Sequence, residues 1–183
     1  MQLHKSEILL ALARVVVLAT TVLLIMILFI EEGGADFESK SRHLRDIQYT
    51  ESATYTNECG SCHLAYAAGL LPERSWVKMM KGLNDHFGEN AEVDEKTEGE
   101  ITAYLTANAA ERGSRRSLKI MESIPLEETP LRFTETRFYN TKHGNVSADI
   151  FKRQSIGSKA RCQACHPNAD KAQFSAVEVK IPD

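Results

Sequence analysis

The chain is poor in cysteine, carries no excess of positive charge, and has no apolar stretch that would pair into a convincing sheet. Its four cysteines among 183 residues form two C-x-x-C strings with none left over. That usage excludes a disulfide framework, which would scatter cysteines at varied spacings. Zinc ribbons also pair such strings, but usually about 15–20 residues apart. Here more than half the chain separates Cys62 from Cys162. A thioredoxin-like redox motif needs a βαβ pattern around it, and neither string has one. A net charge of −3 and a pI near 6.1 leave no electrostatic footprint for nucleic acid. Beyond the two cysteine strings there is no internal repeat: LAYAAGLLPERSW and PNADKAQFSAVEV, which follow them, are unlike. This argues for one domain rather than two duplicated ones.

About a quarter of the apolar residues lie in one N-terminal run, Ile8 to Ile30, of the kind that can span a membrane. The remainder is short of core-forming side chains, so a small domain built from it needs a staple. The run is broken only by Arg14, Thr20 and Thr21, and its uncharged part, Val15 to Ile30, is 16 residues long. Lys5 and Arg14 lie at its start, while Glu31 and Glu32 follow it, so the positive-inside rule leaves the N-terminus cytoplasmic and exports the rest. Two readings stay open. One is an uncleaved single-pass signal anchor. The other is a cleaved signal peptide, with Gly33 and Ala35 near the cleavage point.

Residues 33–50 are polar and without helical period, which reads as a tether. Pro72 marks a helix start. Trp76, Met79, Met80 and Leu83 then make one face of an amphipathic helix that ends near Phe87-Gly88. Asp94 reads as the N-cap of a second helix with the face Ile101, Tyr104, Leu105 and Ala109. The acidic run from Glu89 to Glu100 reads as the solvated start of that helix, where negative charge suits the helix dipole. Arg112, Arg115, Arg116 and Lys119 read as a solvated linker, or as a docking patch or partner for acidic groups. Residues 124–145, with Pro125, Pro130 and RFTETRFYNT, read as extended or loop structure, and a last helical piece spans about 148–154. The fold class is therefore mainly α. It is a small domain of short helices and loops (51–183), preceded by a tether (33–50) and a transmembrane helix (1–32).

Both cysteine strings continue into histidine, giving Cys59-Cys62-His63 and Cys162-Cys165-His166. C-x-x-C-H is the attachment signature of c-type haem: each thiol adds to a vinyl group and the histidine ligates iron from below. One chance occurrence in a chain of this length is on the order of one in a thousand. Two occurrences that use every cysteine, behind an export signal, predict two covalently bound haems c (iron). Attachment of such haems takes place on the outer side of bacterial inner membranes, in agreement with the export signal.

The sixth ligand of each iron decides the chemistry, because a closed iron transfers electrons and an open one binds gases or catalyses. His86 lies 23 residues after His63, and His143 lies 23 residues before His166. Both are candidate distal ligands, and a crossed arrangement with His86 on the second haem stays open. His43 falls in the presumed tether. Met79 and Met80 share the apolar stripe with Trp76, which suits packing better than ligation; Met121 is a further thioether.

These residues resemble the dihaem cytochromes c of the DHC type. The likeness runs through ECGSCHLAYAAGLLPERSW (Glu58 to Trp76), HFGENAEVD (His86 to Asp94) and YLTANAAE (Tyr104 to Glu111). It resumes at RFTETRFYNTKH (Arg132 to His143) and IGSKARCQACHPNAD (Ile156 to Asp170). The resemblance implies a periplasmic electron carrier with both haems ligated by two histidines, the distal ones being His86 and His143. In its best-known setting such a protein reduces a small oxygen-binding monohaem cytochrome. This chain departs from the pattern in its anchor-like N-terminus and in the polar Asn140-Thr141-Lys142 before His143.

The expected function is thus electron transfer, without substrate chemistry, at the periplasmic face of a bacterial inner membrane. The expected partners are other redox proteins, either a small cytochrome or a membrane oxidoreductase. Two alternatives are a haem subunit of a larger membrane redox complex, and a haem enzyme or sensor with one iron open to a small ligand.

Overall fold

A computed structural model describes Leu10, residues 13–26 and residues 46–183. The chain divides into two units, Met1–Arg42 and His43–Asp183. In the first, residues 13–26 are helical and the side chains described are exposed. The rest of the presumed anchor, most of the tether and His43 lie outside the described residues. Among the described residues no helix is long and apolar enough to cross a membrane.

The second unit carries both C-x-x-C-H strings and six short α-helices: α1 (Ala53–Cys59), α2 (Glu73–Met80), α3 (Glu95–Ala107), α4 (Arg115–Glu122), α5 (Arg137–Lys142) and α6 (Ala148–Phe151). Single 3₁₀ turns lie in the first four connections, none lies between α5 and α6, and three follow α6. No strand forms among the described residues; one isolated bridge joins His86 to Glu89. The domain is mainly helical, as the sequence predicts.

Helix α2 follows Pro72, and Trp76 and Met80 are buried. It stops at Met80 rather than near Phe87. The amide of Lys81 is shared between the Val77 and Met79 carbonyls, and the chain tightens into the 3₁₀ turn Leu83–Asp85. Helix α3 opens on Asp94, whose carboxylate accepts from the amides of Lys96 and Thr97 and from the Thr97 hydroxyl. Its buried residues are Ile101 and Leu105.

Three segments differ from the sequence reading. The basic cluster is not a solvated linker: Ser114 caps a true helix, α4, which buries Ser117 and Ile120. Arg112 pairs with Glu73 at 2.8 Å, and Arg116 lies 3.7 Å from Asp46 while donating to the Phe174 carbonyl. The run RFTETRFYNT is not wholly extended either. Thr136 caps helix α5 by accepting from the Tyr139 amide, and Tyr139 is buried. Ile47, in the stretch read as tether, is also buried, packed with Leu70, Ile120 and Ile124.

The apolar core falls into two clusters. The first gathers Tyr55, Leu71, Trp76, Met80, Ile101 and Leu105 between α1, α2 and α3. The second gathers Ile47, Leu70, Ile120, Ile124 and Ala172. Tyr66 and Phe133 pack against both.

Candidate haem centres

The first string begins where α1 ends. Cys59 is the last residue of the helix, and Gly60 caps it by donating its amide to the Thr56 carbonyl. A β-carbon at Gly60 would strike that carbonyl, so the tight exit toward Cys62 and His63 requires glycine. The His63 Nδ1 lies 2.8 Å from the Leu64 carbonyl. A carbonyl can only accept, so Nδ1 carries the proton and Nε2 is left with a free lone pair for iron.

His86 is presented by a tight turn. Phe87 and Gly88 both have positive φ, 61° and 99°, and the His86 amide donates to the Glu89 carbonyl at 2.7 Å. This is the geometry of a primed hairpin turn. A phenylalanine with φ above zero is a strained backbone position of the kind found at functional sites. Arg132 covers the Phe87 ring at 3.8 Å, and that ring meets the His86 ring edge-on at 4.9 Å. The turn therefore fixes the direction of His86.

The second string lies on a 3₁₀ turn, Cys162–Ala164, and the His166 amide donates to the Cys162 carbonyl. Two tyrosines hold the chain just before it. The Tyr139 hydroxyl donates to the Lys159 carbonyl at 3.3 Å, and the Tyr66 hydroxyl donates to the Ala160 carbonyl at 2.8 Å. His143 follows α5, its Nδ1 3.0 Å from the Tyr139 carbonyl, which leaves Nε2 as the free nitrogen here too. Phe174 packs edge-on against His166 at 5.4 Å.

These elements bring the four histidines into two pairs. His63 and His86 have ring centroids 6.1 Å apart, and His143 and His166 have theirs 6.2 Å apart. An imidazole nitrogen sits about 2 Å from a transition-metal ion, so two rings on opposite sides of one iron have centroids about 6 Å apart. Both pairs fit a haem iron between them. The rings stand in the straight arrangement, His86 beside His63 and His143 beside His166, rather than the crossed one. Among the described residues no group of three or more His, Cys, Asp or Glu side chains could hold a metal ion. A haem needs none, because the porphyrin supplies the other four ligands.

The electrostatics agree. His86 is held below the usual histidine range by burial, then by His63 and Arg132. His166 is lowered by burial, then by His143 and Arg116. Both shifts favour the neutral imidazole, which is the form that ligates. Burial pushes the Cys59 thiol up to about 11 and Cys162 likewise to about 11. Neither is a poised thiolate of the redox-sensor kind. Met80 is buried in the first core cluster and Met79 packs against it, in keeping with their apolar stripe.

Sequence reasoning missed the residues that aim the ligands. Tyr66, three positions after His63, lies 5.2 Å from that ring and ties itself to the second string. Burial pushes its hydroxyl up to about 12, so it stays a protonated donor. Tyr139 stands four residues before His143, one helical turn, and that spacing was the available signal.

The sequence profile of the dihaem cytochrome c family (DHC) matches residues 55–174. A diheme cytochrome c from Rhodobacter sphaeroides is 38% identical with a TM-score of 0.62, over 68% of this chain and 98% of its own. The diheme cytochrome c of Shewanella baltica OS155 is 33% identical with a TM-score of 0.60, over 73% of this chain and 95% of its own. Comparison with curated proteins gives no match.

Proposed function

We propose, for a chain that belongs to the dihaem cytochrome c family, that it passes electrons between redox proteins by outer-sphere exchange through two bis-histidine haems. Membership brings two covalently bound c-type haems with iron and electron transfer through them. The observation that carries the finer reading is the separation of the two histidine pairs, 6.1 and 6.2 Å, each right for one iron closed on both sides. When bound, the haem iron supplies one-electron chemistry by cycling between two oxidation states. The protein's part is to hold that iron closed. His63 and His143 present Nε2 because carbonyl oxygens occupy their Nδ1 protons. The Phe87-Gly88 turn aims His86, and Phe174 packs against His166. Four histidines leave no open position on either iron, and they omit the methionine ligand that raises potential, so low to moderate potentials follow.

The setting we propose is the periplasmic face of a bacterial inner membrane. In support, the described N-terminal helical residues expose Val15, Val16, Leu18, Val22, Leu23 and Ile25. A continuous apolar surface of that kind needs lipid or protein to cover it. Charge flanks it in the orientation of an anchor whose C-terminal side is exported. The redox partners are a small cytochrome or a membrane oxidoreductase.

Carbon monoxide tests the closed coordination. The reduced native protein should bind none, and its absorption spectrum should not change. His86→Ala and His143→Ala should each open one iron, giving binding of about one equivalent. Carbon monoxide binding by the native protein, or none by either variant, would overturn the ligand assignment.

A further inference from the structure

The two histidine pairs agree in separation but not in orientation. The planes of His63 and His86 lie within 18° of each other, whereas those of His143 and His166 are 77° apart. The cause is visible at His143. Its ring lies flat on the Tyr139 ring, centroids 4.0 Å apart and planes 19° apart. Its Nδ1 is 3.0 Å from the Tyr139 backbone carbonyl. One residue therefore fixes the imidazole twice, by a face and by a hydrogen bond. Tyr139 can do so because it is itself fixed. It is 3% exposed, its amide donates to the Thr136 hydroxyl that caps α5, its hydroxyl reaches the Lys159 carbonyl, and Phe133 meets its ring edge-on at 5.8 Å. Among the described residues no comparable face holds His86, which is placed by a backbone turn with Phe87 at its edge.

We propose that Tyr139 is a positioning residue that holds the His143 imidazole crosswise to His166, so that the second haem takes crossed ligand planes and the first takes near-parallel ones. The inference rests on the bis-histidine reading above. Its consequence is electronic. Each imidazole donates π density into the iron d orbital perpendicular to its own plane. Two parallel rings act on the same orbital and split the pair of dπ levels. Two crossed rings act on one each and leave the pair nearly degenerate, with more orbital angular momentum. The two haems are thus distinguishable by ligand orientation alone, with two imidazole nitrogens as the protein ligands of each.

Low-temperature electron paramagnetic resonance of the full-length haem protein tests this, recorded during stepwise reduction so that each haem is seen alone. The expected result is one ordinary rhombic low-spin signal and one low-spin signal with a much larger maximal g value. Two signals of the same low-spin type would overturn the inference and leave the bis-histidine reading standing. A high-spin signal from either haem would overturn that reading itself. Tyr139→Phe keeps the ring and should leave both signals in place. Tyr139→Leu removes the face and should shift or broaden the large-g signal while the rhombic one stays. Tyr139→Met, which fills the same space without a flat face, serves if the leucine variant does not assemble with two haems. A shared loss of stability with both signals unchanged would reduce Tyr139 to a packing residue and overturn its positioning role.

Discussion

The two haem centres sit in one unit but are built by different means. The first lies beside α1, α2 and α3, whose buried faces meet in a cluster of Trp76, Met80, Ile101 and Leu105. Around the second, past Ile124, the buried apolar residues are Tyr139, Ile156, Ala169 and Ala172. Ala172 joins the second apolar cluster, against which Phe138 and Phe174 pack, and a set of hydrogen bonds from side chains to backbone carbonyls adds to it. Tyr66 and Tyr139 reach Ala160 and Lys159, Arg116 reaches Phe174, Arg153 reaches Pro182 and Ser155 reaches Asp183. Each bond contributes about 1 kcal/mol, less than one large buried side chain. The difference teaches that the first centre borders the large buried side chains of three helices, while the second leans more on smaller buried residues, hydrogen bonds and its own haem.

The sharpest way to break the comparison is to cut into each core. Trp76 is 4% exposed, and its indole N–H donates to the Ala68 carbonyl at 2.7 Å. Trp76→Ala should cost about 3–5 kcal/mol, the range for truncating a buried aromatic. Ile156 is buried too, and Ile156→Ala should cost less, about 2–3 kcal/mol. Urea unfolding of the two haem proteins, followed by far-ultraviolet circular dichroism, measures both. Equal losses would mean that the second half is packed as firmly as the first.

The same asymmetry governs what was legible in the sequence. Helix α3 could be read because Asp94 is a good cap and Ile101 and Leu105 keep helical spacing. Helix α5 could not, because Phe138, Tyr139 and Thr141 lean toward strand and Pro125 and Pro130 precede them. Its cap at Thr136 and the burial of Tyr139 decide the matter, and burial is a tertiary fact. Helix α4 was hidden by Ser117, a small polar residue at a position where close packing matters. A β-carbon on Gly69 would come within 2.8 Å of its hydroxyl oxygen. The histidines were legible as a set from their even spacing around the two strings. Which distal histidine stands beside which string was not, because that depends on a turn at Phe87 and a ring stack at Tyr139.

A smaller perturbation compares the devices that aim the two distal ligands. Gly88 has φ of 99° with nothing near its missing β-carbon, so Gly88→Ala meets backbone strain without a clash. It should cost about 1–2 kcal/mol and loosen His86 alone. Thr136→Ala removes the cap of α5, should cost about 1 kcal/mol, and should loosen His143 alone. Carbon monoxide binding by the reduced variants reads both effects. The glycine variant should show partial binding at the first haem and the threonine variant weaker binding at the second. Binding at both haems in either variant would mean that the two sites are not aimed independently.

The smallest effect reverses the ranking of the two halves. Helix α3, in the better-packed half, is capped by a carboxylate, whereas α5 is capped by a neutral hydroxyl. The Thr97 hydroxyl and amide hold the Asp94 carboxyl below its ordinary value of 3.8. A group depressed by folding contributes stability above its unfolded value and loses it as the pH falls through the folded one. Acid should therefore fray the first turn of α3 below about pH 4 while leaving the first turn of α5 intact. Amide exchange at Thr97 and Tyr139, followed from pH 6 downward, measures the two ends, with intrinsic exchange rates corrected for pH. Asp94→Asn keeps an accepting oxygen without a proton to gain, so its Thr97 protection should stay flat over the same range. If the asparagine variant frays with the same acid profile, the loss comes from elsewhere in the domain, and the cap has no part in the difference between the halves.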